Sequence, residues 1–161
     1  MCMSILIHAT PSRAPRTPMT AQITLLYAGF ITLMAVAQLF TYDTFMKLFL
    51  DFNLPFSDQL VYALAPTIIA LEVFALPFLL RMKLSVGFRW FSMGCGWLVA
   101  LFWFLISIWT VTTFQDVSTI GFLGTVGDLT PGWWAIFISF AFGILATWSS
   151  WGLWPITETK K

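Results

Sequence analysis

The stretch Gln59–Leu80 reads QLVYALAPTIIALEVFALPFLL, twenty-two residues in which Glu72 is the one charged side chain. A helix rises about 1.5 Å per residue, so crossing ~30 Å of hydrocarbon takes roughly twenty apolar residues. The run is therefore predicted to span a bilayer. An ionisable group at the centre of such a helix costs about 2.5–3.5 kcal/mol on insertion scales, which turns it toward protein or water rather than lipid. Glu72 is the first candidate site on that ground.

Working outward, the composition agrees with the stretch. The chain of 161 residues is 59 % hydrophobic and 9 % charged, a balance outside that of water-soluble domains. Its net charge of +1, with no basic face to neutralise phosphates, excludes nucleic acid as a partner. Cys2 and Cys95 lie far apart, so neither a disulfide framework nor a Cys-x-x-Cys redox pair is available. His8 is the single histidine, which leaves no ligand set for a haem or metal within the membrane.

Residues 1–18 mix Ser, Thr, Pro and two Arg and read as a disordered tail, with Met19 a second candidate start. The first span is expected over Ala21–Phe40, twenty residues without a charge. Beyond it, Phe45, Leu48, Phe49 and Phe52 recur at helical spacing, with Asp43, Lys47 and Asp51 on the opposite side. That pattern predicts a short interfacial helix, stopped by Asn53 and Pro55, with Ser57 as N-cap of the next span. Pro66 and Pro77 predict a bend near Glu72. The third span is expected over Trp90–Val111, with Gly94 and Gly96 allowing close helix approach. Thr112–Gly132 is the longest connection and is expected on the membrane surface. Thr130 and Pro131 read as cap and first residue of a fourth span, Trp133–Trp151, in which Ser139, Gly143 and Thr147 have the spacing of a packed face. A short polar tail, 155–161, follows.

Basic residues set the orientation. Arg13 and Arg16 precede the first span, Arg81, Lys83 and Arg89 fall between the second and third, and Lys160 and Lys161 follow the fourth. The positive-inside rule makes that side cytoplasmic, with both termini there. The expected fold is an all-α bundle of four transmembrane helices in up-and-down order in the plasma (inner) membrane, with the lipid bilayer as its surroundings.

Glu72 lies eight residues from the end of its run, roughly 12 Å in at helical rise. Comparable depths along the other spans place Tyr27, Trp97 and Thr147 beside it, each able to donate a hydrogen bond. Glu72 is then either a structural carboxyl or a site for a proton or a quinone headgroup. Relays and transporters use several such groups, and this chain offers one, which weighs against a small-solute or proton carrier. Lys47 is the lone base on the far side, either paired with Asp43 or Asp51 at i±4 or touching a partner. No Ser–His–Asp set, phosphate loop or metal spacing is present, so autonomous catalysis is not expected.

The segment FTYDTFMKLFLDFNLP, followed by ALEVFALPFLL and a basic turn, resembles the DoxX-like and MauE-like four-helix membrane proteins between about Leu25 and Val111. Lys47 and Glu72 match that family's lysine and glutamate. The resemblance implies a membrane subunit working beside an oxidoreductase: DoxX-type members are associated with thiosulfate:quinone oxidoreduction, MauE-type members with maturation of a disulfide-rich periplasmic dehydrogenase. It implies a quinone as cofactor and a membrane or extracytoplasmic protein as partner. The Cys-Gly-Cys-Phe-Gly segment of many MauE-type members has no counterpart in Thr112–Gly132, which contains no cysteine. The expectation is an accessory membrane subunit, with a quinone-linked oxidoreductase subunit as the alternative.

Overall fold

The computed structural model describes residues 14–55, 58–113, 117–126 and 129–154. Five helices account for most of them: α1 (Pro18–Phe40), α2 (Tyr42–Asp51), α3 (Asp58–Leu79), α4 (Val86–Thr112) and α5 (Trp133–Gly152). Four of these, all but α2, are long and apolar enough to cross a membrane. Each is hydrophobic on every side, and the outward residues, among them Leu25, Leu33, Leu101, Leu105, Phe137 and Phe140, are exposed. A helix apolar all round needs an apolar surrounding as well as an apolar core.

The long helices form a square in which α1 and α4 each pack on both α3 and α5. Tyr27 reaches across the diagonal, its hydroxyl donating to the Gly96 carbonyl at 2.9 Å. Gly96 leaves ordinary contact distances to Ala75 and Tyr27, whereas a Cβ on Gly94 or Gly143 would meet nothing. Close approach therefore belongs to Gly96 alone of the first pair. The Ser139–Gly143–Thr147 row does not mark a packed face either, since Ser139 is buried and Thr147 exposed.

Capping explains where the helices begin. Thr17, in extended conformation, accepts the Thr20 N–H on its side chain at 3.2 Å, and Pro18 takes the first helical position. That pairing starts α1 three residues before the expected Ala21 and draws the end of the supposed tail into the fold. Arg16 lies over the Trp151 ring, 4.9 Å from its centroid. Ser85 caps α4 in the same way, so the helix begins at Val86 rather than Trp90. For α5 the cap is Gly132 instead of Thr130, whose carbonyl accepts the Trp134 indole N–H at 3.0 Å. Asn53, at φ 44°, ends the turn after α2 as its side chain permits. Ser57, expected as a cap, lies outside the described residues.

Pro77 lies inside α3, and Ser92 of α4 sets its hydroxyl against the backbone there. The Ser92 Oγ accepts the Phe78 N–H at 3.0 Å and donates to the Phe74 carbonyl at 2.5 Å, touching two groups one helical step apart. Proline-interrupted helices in apolar surroundings depend on a neighbour to satisfy the freed backbone groups.

One end of the bundle is closed by protein. Helix α2 turns Phe45, Leu48 and Phe49 inward, all buried, with Phe45–Phe49 and Phe49–Phe52 in edge-to-face contact at 5.0 and 5.5 Å. The Trp109 indole N–H ties this helix to α4 through the Phe52 carbonyl at 3.0 Å. Residues 117–126, expected at the surface, instead fold into the bundle: Thr119, Ile120, Gly121, Phe122 and Gly124 are buried. Gly121 and Gly124 have φ of 89° and 58°. A Cβ on Gly121 would lie 3.0 Å from Leu48 and 3.4 Å from Trp103. Glycine supplies both the left-handed turn and the close approach that lets this loop act as a plug.

Candidate functional site

Glu72 projects from α3 into the bundle and is fully buried. Its Oε1 accepts the Gln38 Nε2–H from α1 at 3.1 Å and the Trp103 indole N–H from α4 at 3.2 Å. Gln38 Nε2 donates also to the Phe122 carbonyl of the plug at 3.2 Å. Facing two acceptors fixes the amide with its nitrogen on that side. One carboxylate thereby gathers three helices and, through Gln38, the plug.

The surroundings hold this clasp still. Trp103 packs on Phe102 and Phe122 with centroids 5.4 and 5.0 Å away. One turn along, Ser107 and Ser139 join α4 to α5 through their hydroxyls at 2.8 Å, with Ser107 donating to the Trp103 carbonyl at 2.7 Å. The plug is fastened to the end of α1 by the Thr125 N–H on Thr41 Oγ1 at 3.1 Å, and Thr44 and Thr125 share a hydrogen bond of 2.6 Å. Glu72 Oε2 and Gln38 Oε1, both buried, have no hydrogen-bond partner among the described residues.

The residues expected beside Glu72 by depth do not hydrogen-bond to it. Tyr27 is buried but uses its hydroxyl on Gly96. Trp97 donates its indole N–H to Ser150 Oγ at 2.9 Å. Thr147 is exposed and returns its hydroxyl to the Gly143 carbonyl of its own helix. Tyr27 nevertheless interacts electrostatically with Glu72, while Trp97 and Thr147 spend their donors elsewhere. Gln38 is an amide with zero exposure two residues inside the helix end. Asp43, Lys47 and Asp51 lie exposed on the outward side of α2, at the plugged end but apart from the carboxylate.

Two grooves on the bundle surface have linings that do not include Glu72. One of about 410 Å³ runs between the end of α2, α3 and α4, lined by Leu54, Pro55, Leu64, Phe102 and Trp109. Another, of about 380 Å³, lies between α4 and α5 along Trp97, Leu101, Phe104 and Phe140. No cluster of His, Cys, Asp and Glu able to hold a metal occurs among the described residues. Cys95 is buried with its thiol unpaired, and Cys2 and His8 lie outside the described residues.

Compared with known proteins, the chain matches no family model, no curated protein and no solved structure.

Proposed function

We propose that this chain is an integral protein of the plasma (inner) membrane, with both termini cytoplasmic, serving as an accessory subunit beside a membrane-associated oxidoreductase or a protein under maturation. The insertion rests on four apolar helices and on the exposed apolar perimeter. Orientation rests on charge: Arg16, Arg81, Lys83 and Arg89 fall at the open end of the bundle, Asp43 and Asp51 at the plugged end. On this reading α2 lies at the extracytoplasmic interface and presents Asp43, Lys47 and Asp51 to the partner.

The observation that carries the accessory role is the enclosure of Glu72, the one carboxylate in the four apolar helices' interior, by Gln38 and Trp103 under the plug. A group so enclosed, with Gln38 and Trp103 both donating to the same carboxylate oxygen, serves architecture on this reading. The resemblance to DoxX-like and MauE-like proteins, carried by Lys47 and Glu72, supplies the oxidoreductase context.

The test is capture of tagged wild type and Glu72→Gln from membranes in mild detergent after crosslinking, with captured proteins and lipids identified together. Recovery of one oxidoreductase or maturation substrate in fixed ratio with both forms is expected, and a crosslinked product abolished by Lys47→Glu would place the contact on α2. A chain that stays solitary at native expression sinks the proposal. The quinone-linked alternative demands a quinone analogue whose binding disappears in Glu72→Gln, and a carrier demands flux in proteoliposomes.

A further inference from the structure

We propose that Glu72 binds a proton on Oε2, as a neutral carboxylic acid that donates to Gln38 Oε1, and that this proton fixes the plug. The proposal goes beyond the accessory-subunit reading and does not depend on it.

The hydrogen-bond inventory of the clasp points there. Gln38 and Glu72 already share one bond, Nε2–H to Oε1 at 3.1 Å. The two atoms left over are the second carboxylate oxygen and the amide oxygen, both buried and both without a donor. Turning the amide over offers a donor to Oε2 only by setting the amide oxygen against Glu72 Oε1 and the Phe122 carbonyl, two further acceptors, and so forfeits the two bonds already made. A buried ionised carboxylate with one bare oxygen is costly, and such groups neutralise. One proton supplies the missing donor and completes a two-bond acid–amide pair.

No nearby cation does the same work. From α1 the groups facing Glu72 are Gln38 and Tyr27, from α4 Trp103, and from the plug the Phe122 carbonyl. Tyr27 is the one titratable side chain among these, and its proton is engaged on Gly96. The charged residues of α2, which packs on α3, are Asp43, Lys47 and Asp51, all exposed on its outward side. Helix α5 contributes Ser139, which is bonded to Ser107 and Ala135.

The same amide links the proton to the loop. Loss of the proton leaves an ionised carboxylate oxygen and a neutral amide oxygen, both acceptors and both without a donor among the described residues. Rotation of Gln38 relieves that, and rotation withdraws Nε2 from the Phe122 carbonyl. Proton occupancy at Glu72 and closure of residues 117–126 are thus one equilibrium seen at two places.

The experiment is infrared spectroscopy of the full chain in lipid nanodiscs, with hydrogen exchange read on the same samples. The chain holds two glutamates, Glu72 and Glu158, so ¹³C-labelled glutamate in a Glu158→Gln background reports Glu72 alone. A carboxylic-acid carbonyl band that shifts with the label at neutral pH, is absent in Glu72→Gln and moves toward an unbonded acid in Gln38→Leu is expected. As pH rises and the band fades, exchange in 117–126 should exceed that of Glu72→Gln about five- to tenfold, the worth of one ordinary hydrogen bond. A labelled carboxylate band at neutral pH overturns the proposal. So does a band that sodium, rather than base, removes. A band that survives to the highest tolerated pH, or that fades while the loop stays protected, overturns the linkage.

Discussion

Replacing Ser92 by alanine removes one oxygen atom and should act on the backbone of another helix. That oxygen satisfies the Phe78 N–H and the Phe74 carbonyl of α3 at 3.0 and 2.5 Å, and the site has no exposure. Each buried polar group left unpaired costs about 1–3 kcal/mol, giving about 2–6 kcal/mol for the two. Partial closure of α3 onto its own Phe74 carbonyl, limited by the Pro77 ring, brings the expectation to about 2–4 kcal/mol. Ser107→Ala is the matched control: the side chain is equally buried, but its hydroxyl bonds to its own helix and to Ser139, so about 1 kcal/mol is expected. Reversible unfolding in mixed micelles, followed by tryptophan fluorescence and circular dichroism, measures both. If Ser92→Ala costs no more than Ser107→Ala, the Ser92 hydroxyl is not what holds α3 to α4.

Three further outcomes are expected. Gly124→Ala forces a side chain into φ 58° and against the Ala37 carbonyl and the Gln38 Cα at 3.0 and 3.1 Å; about 2–3 kcal/mol should be lost, with faster hydrogen exchange confined first to residues 117–126. Glu72→Leu strands the Trp103 N–H and one Gln38 N–H and should cost about 2–4 kcal/mol by the same unfolding assay, while Glu72→Gln, which keeps an acceptor, stays within about 1 kcal/mol of wild type. Thr147→Val should change stability by less than about 0.5 kcal/mol, because the residue is exposed and bonds within its own helix; a larger loss would return it to the functional site.

The long apolar helices were legible because length and absence of charge mark them directly, and α2 was legible as a helix from the spacing of Phe45, Leu48 and Phe49. Local chemistry was readable too where it was strongest: Asn53 stops a turn, and Thr17–Pro18 has the same cap-and-proline form that was sought at Thr130–Pro131. What escaped were contacts made at long range. Nothing adjacent to Gln38 in sequence says that a loop eighty-four residues away will cover it. Gly121 and Gly124 carry no sign in sequence of the positive φ that lets their run turn inward. Ser92 carried no signal as a partner of the backbone beside Pro77, since the proline is in one helix and the serine in the next. Glu72 itself stood out at once, because a carboxylate in an apolar helix demands partners, but its partners depend on how the helices slide against one another.

On the reading that the four apolar helices cross a bilayer, their unequal heights have a consequence for the membrane itself. At about 1.5 Å per residue, α4 with its 27 residues is roughly 40 Å long and α5 with 20 roughly 30 Å. A bilayer whose hydrocarbon is ~30 Å thick matches α5 upright and is overshot by α4. Because the Glu72 clasp and the Ser92 bridge pin α4 to α1 and α3, it cannot lean alone to hide the surplus. The whole bundle must incline, or the lipids around α4 must stretch. Fit to bilayer thickness is thus set by one helix, and membranes with longer acyl chains should accept this protein more readily than thin ones.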